Sequence, residues 1–160
     1  MSKTLLIVSA GAEALPGIKL AKKLGLYVVA SDANPKAYGF SFADDTLVAS
    51  TYDVEATVAA ATRYHQGFRP IDGVMCIASD VPLTVASIAA ALGLPGIPVE
   101  SARLATDKLA MKQRFVADGV AIPWFSAVES VDHLMALVAA EGLPLVIKPV
   151  DRRGSRGVLR

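Results

Sequence analysis

The sequence contains a single cysteine, Cys76, which excludes an intramolecular disulfide framework and suits a reducing cytoplasm. That cysteine lies in the apolar run Val74-Met75-Cys76-Ile77, where a buried structural thiol is expected rather than a reactive one. Charge is also scarce: 19% of residues are Asp, Glu, Lys or Arg, with a net charge of +1. Such a balance draws the chain to neither nucleic acid nor an anionic membrane. No apolar run approaches the roughly 20 residues that span a bilayer. The stretch Leu5-Leu6-Ile7-Val8 after Lys3 is short and is followed at once by Glu13 and Pro16, so it reads as a first buried strand, not a signal peptide. Internal repeats and low-complexity tracts are missing. His65 and His133 have no matching cysteine or carboxylate cluster, which argues against a metal site built on them. No Ser/His/Asp arrangement can be placed.

What is present is apolar residue, at 53% of 160 positions, enough for a sizeable core. Residues 4–9 read as a buried strand and "AGAEALPG" as the turn opening a helix. Residues 18–25 continue that helix, with Ile18, Leu20, Ala21 and Leu24 expected to face inward and Gly25 ending it. Strands are expected at 27–31, around 46–49 and at 71–78. Helices are expected at 53–66, capped by Asp53, and at 81–93, started near Pro82 and stopped by Gly93. This alternation predicts an α/β fold with a Rossmann-like parallel sheet covered on both faces over residues 1–98. After Pro98 the rhythm changes. Residues 101–119 are largely helical, with Asp107 restarting a capped turn. Residues 121–128 are strand-like, 130–142 form a helix that Ser130 can cap, and 143–150 read as a strand. This second piece, 99–160, looks like an incomplete α+β lobe.

Ligands of open α/β sheets bind outside the carboxyl ends of the strands. Three such ends carry polar or glycine residues: Gly11 with Glu13, Asp32 with Asn34, and Ser79 with Asp80. A dinucleotide site is disfavoured, since the stretch Ser9 to Ala14 lacks two of the three glycines of G-x-G-x-x-G and sets Glu13 where a pyrophosphate would lie. A small polar substrate is one reading of this crevice. The other is structural: a tight turn at Gly11 and a turn cap at Asp32. In the second piece, Lys148 closes the apolar run "LVI" and is followed by Gly154-Ser155-Arg156-Gly157. Glycines let successive amides turn inward around an anion, and Lys148 adds a point charge for phosphate. A basic surface hairpin is the alternative. Lys108 opens a helix, where an anion is already favoured. Met111 and Phe115 are expected in a core, and Lys112 on a solvated face.

Taken together, "DKLAMKQRFVADGVAIPWF" and "LPLVIKPVDRRGSRGV" resemble the first half of an ATP-grasp fold. The stretch "AGAEALPGIKLAKKLGLYVVASDANPKAYGFSFADDTLVASTYD" is similar to the domain that precedes it. The nearest version is in stand-alone proteins related to the carbamoyl-phosphate synthase large subunit; biotin carboxylase and the ATP-dependent carboxylase of purine synthesis are more distant. Ser9 departs from the pattern, standing where relatives usually carry glycine.

The resemblance implies an ATP-dependent carboxylate–amine or carboxylate–thiol ligase working through an acylphosphate, with ATP between two small α+β lobes. Lys108 and Lys148 would contact ATP, and Gly154, Ser155 and Gly157 would form a loop over its phosphates. Gly11, Glu13, Asp32, Asn34, Ser79 and Asp80 would face the acceptor substrate. The cofactors implied are ATP and magnesium, the magnesium ligands being expected beyond Arg160, so that the chain reads as a fragment without turnover of its own. The apolar face of residues 100–160 is expected to be covered by self-association, as in a homodimer, or to be disordered in part. A non-catalytic Rossmann-like module binding a nucleotide or metabolite is the alternative function.

Overall fold

The structure is a computed structural model that describes residues 2–151 and 157–159. The chain divides into two compact units, residues 1–103 and 104–160.

The first unit is built on four parallel strands in the order β3-β2-β1-β4: β1 (Thr4–Val8), β2 (Tyr27–Asp32), β3 (Asp45–Val48) and β4 (Gly73–Cys76). Strand side chains alternate between faces, and both faces are buried here. Leu6, Val8 and Val29 join one cluster with Ala61 and Tyr64 of α2 (Val54–Gly67) and Ile88 of α3 (Pro82–Ala91). Ile7, Val28 and Ala30 join the other with Ile18 and Ala21 of α1 (Leu15–Lys23). This two-sided burial explains the continuous apolar runs "LLIV" and "YVVA". Each fully buried Leu, Ile or Val contributes about 1.5–3 kcal/mol. One buried polar atom has no return for its desolvation. The Ser31 hydroxyl in β2 is the only buried side-chain N or O without a hydrogen-bond partner among the described residues.

The local signals held where they were self-contained. Asp53 Oδ1 accepts the Ala56 N–H at 3.0 Å and starts α2. Two expectations fail in this unit. Leu20 and Leu24 do not face inward; they are 57% and 70% exposed, because α1 packs through the narrow pair Ile18 and Ala21 alone. Cys76 is half-buried rather than buried, and its thiol donates to the Ser79 carbonyl at 3.4 Å. His65 at the end of α2 takes part in the fold, since its Nδ1 accepts the Ile71 N–H at 3.0 Å.

α4 (Val99–Thr106) carries the chain into the second unit, which contains α5 (Lys108–Ala117) and α6 (Val131–Glu141). Asp107 Oδ1 caps α5 by accepting from Leu109 and Ala110 N–H, both at 2.9 Å, and Ser130 Oγ caps α6 by accepting from His133 N–H. The strands expected at 121–128 and 143–150 are not formed. The only pairing there is an antiparallel bridge between Ile147 and Leu159. A strand needs a neighbour to take its backbone hydrogen bonds, and the described residues offer just that one. Neither α5 nor α6 has a buried residue, so Met111 and Phe115 are not core: Met111 is half-buried and Phe115 is 37% exposed. Trp124, Val131, Met135, Leu143 and Val146 are all more than half exposed.

Candidate functional site

In the first unit the parallel order places the carboxyl ends of β2, β1 and β4 side by side. Two of those ends leave ordinary backbone geometry. Ser9 follows β1 with φ 91°, and Ala78 lies beyond β4 with φ 53°. Non-glycine residues held there cost free energy and cluster at functional sites. Ser9 therefore occupies a conformation that glycine adopts without strain. Gly39 approaches from below: its N–H donates to the Ala10 carbonyl at 2.8 Å, and a Cβ at position 39 would come within 2.8 Å of that oxygen and of Ile18 Cδ1.

The six residues assigned to this crevice have distinct surroundings. Asp32 ties two strand ends together: Oδ2 accepts the Ala10 N–H at 3.0 Å and Oδ1 the Asn34 N–H at 2.9 Å. Asn34 Oδ1 in turn accepts the Lys36 N–H at 2.9 Å. This is the turn-capping arrangement, and it leaves the remaining lone pairs of Asp32 for a ligand. The exposed Glu13 carboxylate folds back over Gly11, where an added Cβ would lie 2.9 Å from Oε2. Ser79 is half-buried and Asp80 exposed, both following β4. Gly11 and Asp32 are thus adjacent through the Ala10 contact, with Ser79 and Asp80 beyond the neighbouring strand.

The second unit holds a cavity of about 900 Å³ with a predominantly apolar wall. Lys108 and Lys112 from α5, Lys148, Trp124, Phe125 and Gly157 line it, with Leu134 and Leu137 of α6. Among the described residues its wall carries three lysines and no aspartate or glutamate. Lys108 is anchored, because its Nζ donates to the carbonyls of Pro149 and Val150, both at 3.2 Å, while its N–H donates to Val150 at 3.0 Å. Lys148 is exposed. Lys112, expected on a solvated face, is half-buried with its ammonium 5.1 Å from the Phe125 ring centroid. The i,i+4 spacing of Lys108 and Lys112 was the available signal, since it puts both on one face of a helix. Trp124 and Phe125 could have been noted as aromatic neighbours of that face. Gly157 lies on the wall with φ 72°. Gly154 and Ser155 lie outside the described residues. A concave apolar wall with aromatic rings and three ammonium groups suits a ligand with a planar apolar part and several negative charges.

Residues 18–96 match the family described as the ATP-grasp N-terminal domain. The first unit is an ATP-grasp N-terminal domain. Relatives extend beyond it. The uncharacterized protein y4rH of Sinorhizobium fredii is 30% identical over 143 residues, covering 88% of this chain and 30% of that protein. D-alanine--D-alanine ligase of Gloeobacter violaceus is 40% identical over 72 residues, or 42% of this chain and 24% of the enzyme. The chain therefore spans less than a third of the length of these curated relatives. A crystal structure of the biotin carboxylase domain of 2-oxoglutarate carboxylase from Hydrogenobacter thermophilus, solved with magnesium ADP, ADP and bicarbonate, has the same fold. Its TM-score is 0.72 at 20% identity, over 99% of this chain and 37% of that one. Around the ATP-grasp N-terminal domain, then, stand ligases and a carboxylase. These relatives do not single out the carbamoyl-phosphate synthase likeness.

Proposed function

We propose that this chain supplies the nucleotide cavity and the acceptor-side crevice of an ATP-dependent ligase that joins a carboxylate to an amine or thiol. The observation that carries this reading is the second-unit cavity, where three lysines line the same wall as Trp124 and Phe125. The ATP-grasp N-terminal domain and the ligase relatives support it.

In this reading Lys148 contacts the phosphates directly. Lys108 gives two of its three donors to Pro149 and Val150. It therefore fixes the start of α5 against the segment carrying Lys148 and adds charge to the phosphate end. Gly157, with Gly154 and Ser155, covers the phosphates. Gly11, Glu13, Asp32, Asn34, Ser79 and Asp80 hold the acceptor. A carboxylate oxygen attacks the γ-phosphorus, the bond to the bridging oxygen breaks, and ADP leaves with that electron pair. The nucleophile then attacks the acyl carbon, loses its proton and expels phosphate. Lysine charge lowers the barrier chiefly by positioning and neutralisation. Magnesium would supply further neutralisation on the phosphates. No group of three or more His, Cys, Asp or Glu among the described residues could hold a metal ion, so no step is assigned to it here. In this reading residues 1–160 bind ATP without turning it over. The carbamoyl-phosphate synthase group is the branch its sequence motifs favour.

Calorimetric titration with ATP, paired with a phosphate-release assay, tests the reading. Saturable ATP binding without phosphate release is expected. Metal-dependent release that disappears in Lys148→Ala would overturn the assigned inactivity, and failure of ATP to bind would overturn the site.

A further inference from the structure

We propose that Lys112 is a third anion-contacting residue of the second-unit cavity, one that selects ligands carrying more than one phosphate. The inference rests on the nucleotide reading above.

Lys112 lies one helical turn beyond Lys108, about 6 Å along the axis of α5. Both side chains line the same cavity. Their roles differ by what holds them. The Lys108 ammonium is held by two carbonyls at 3.2 Å. The Lys112 ammonium has no carboxylate partner among the described residues and rests over the Phe125 ring, 5.1 Å from its centroid. A cation–π contact at a half-exposed site is much weaker than a charge-assisted hydrogen bond to phosphate. Lys112 is thus a cation held loosely in an aromatic wall, and a phosphate within reach would draw it away.

Two consequences follow from the geometry. Like charges at i,i+4 on a helix repel, and a polyanion between them converts that repulsion into attraction. All three lysines line one cavity, and a di- or triphosphate offers more charge for them to share than a monophosphate does. Moving the ammonium off Phe125 also bares that ring, beside Trp124, for a flat base.

Trp124 is the only tryptophan of the sequence and stands in the cavity wall, so its fluorescence reads occupancy directly. The full chain, Lys112→Met, Lys112→Arg and Lys148→Met are titrated with ATP and with AMP, with calorimetry alongside. Lys112→Met is expected to weaken ATP about tenfold, the loss of one charge-assisted contact, and AMP less than about twofold. Lys112→Arg keeps the charge and should stay within about twofold for both. ATP affinity unchanged in Lys112→Met but reduced in Lys148→Met would overturn the role of Lys112 and leave the nucleotide reading standing. Equal weakening of ATP and AMP would overturn the selecting role. A wild-type chain that binds ATP by neither method would remove the nucleotide reading and this inference with it. An unchanged far-UV spectrum in each variant excludes misfolding as the cause.

Discussion

The two units of this chain are made of similar residues and solve different problems. The first sandwiches its sheet between two apolar clusters, with Leu6, Ile7, Val8, Val28 and Val29 all at 0% exposure. In the second, no residue after Ala102 is buried among those described, and the apolar side chains ring a cavity or face outward. Apolar content therefore does not by itself make a core. What decides is whether each strand and helix finds a second layer to cover it. The first unit carries the strained strand ends at Ser9 and Ala78, and the second leaves Lys148 exposed at its cavity.

If that contrast is right, side-chain truncation should hurt the units unequally. Ile88→Ala, at a fully buried site packed on the sheet, is expected to cost about 2–5 kcal/mol. Leu137→Ala, at a half-buried site on the cavity wall, should cost about 1 kcal/mol or less. Urea denaturation followed by circular dichroism measures both, and equal losses would erase the distinction. The same titration sharpens the contrast when read by Trp124, which reports on the second unit alone: its midpoint should precede the circular dichroism midpoint, whereas coincident curves would mean one cooperative body.

Binding should divide the units the opposite way. Lys148→Ala is expected to weaken ATP about tenfold while leaving the denaturation midpoint in place, because the side chain is exposed. A shifted midpoint with intact binding would reverse the assignment. Smaller effects test the strand ends. Ser9→Gly relieves the left-handed backbone of Ser9 and should stabilise the first unit by up to about 1 kcal/mol, reduced by the greater freedom of glycine in the unfolded chain.

The smallest expected effect is electrostatic. Burial alone would raise the Asp44 carboxyl; the bonded Lys22 ammonium and the Val28 N–H, donating at 2.8 Å, outweigh it and hold the carboxyl below its ordinary value. A carboxylate lowered on folding contributes stability above its unfolded pKa, and that contribution is lost as pH falls through the folded value. Asp44→Asn should therefore lower stability by about 0.5–1 kcal/mol at neutral pH, with the gap to wild type closing in acid. A gap that widens on acidification would contradict the sign.

Legibility in the sequence followed the range of the forces involved. Asp53, Asp107 and Ser130 were readable as caps because a cap acts within three residues. The parallel sheet was readable because strands alternate with helices at a spacing that short local signals mark. Leu20 and Leu24 misled because helical spacing says which residues share a face, not how wide a face the neighbours cover. The stretches 121–128 and 143–150 misled for a related reason: strand-like composition cannot supply a partner strand. At the sites, the residues at the strand ends and Lys108 and Lys148 could be picked out as residue types in position. The place of Lys112 beside Phe125 could not, since it depends on the fold of residues 120–150 around α5.

The Ser31 hydroxyl offers an engineering handle. It was stripped of water and given nothing in exchange, so the native residue is already paying a cost that a variant need not. Alanine there would discard the unsatisfied oxygen while keeping the strand's fit, which makes position 31 a natural first step toward a more heat-resistant scaffold. It also lies one residue from Asp32, so the gain would come within reach of the acceptor crevice without altering a side chain assigned to it.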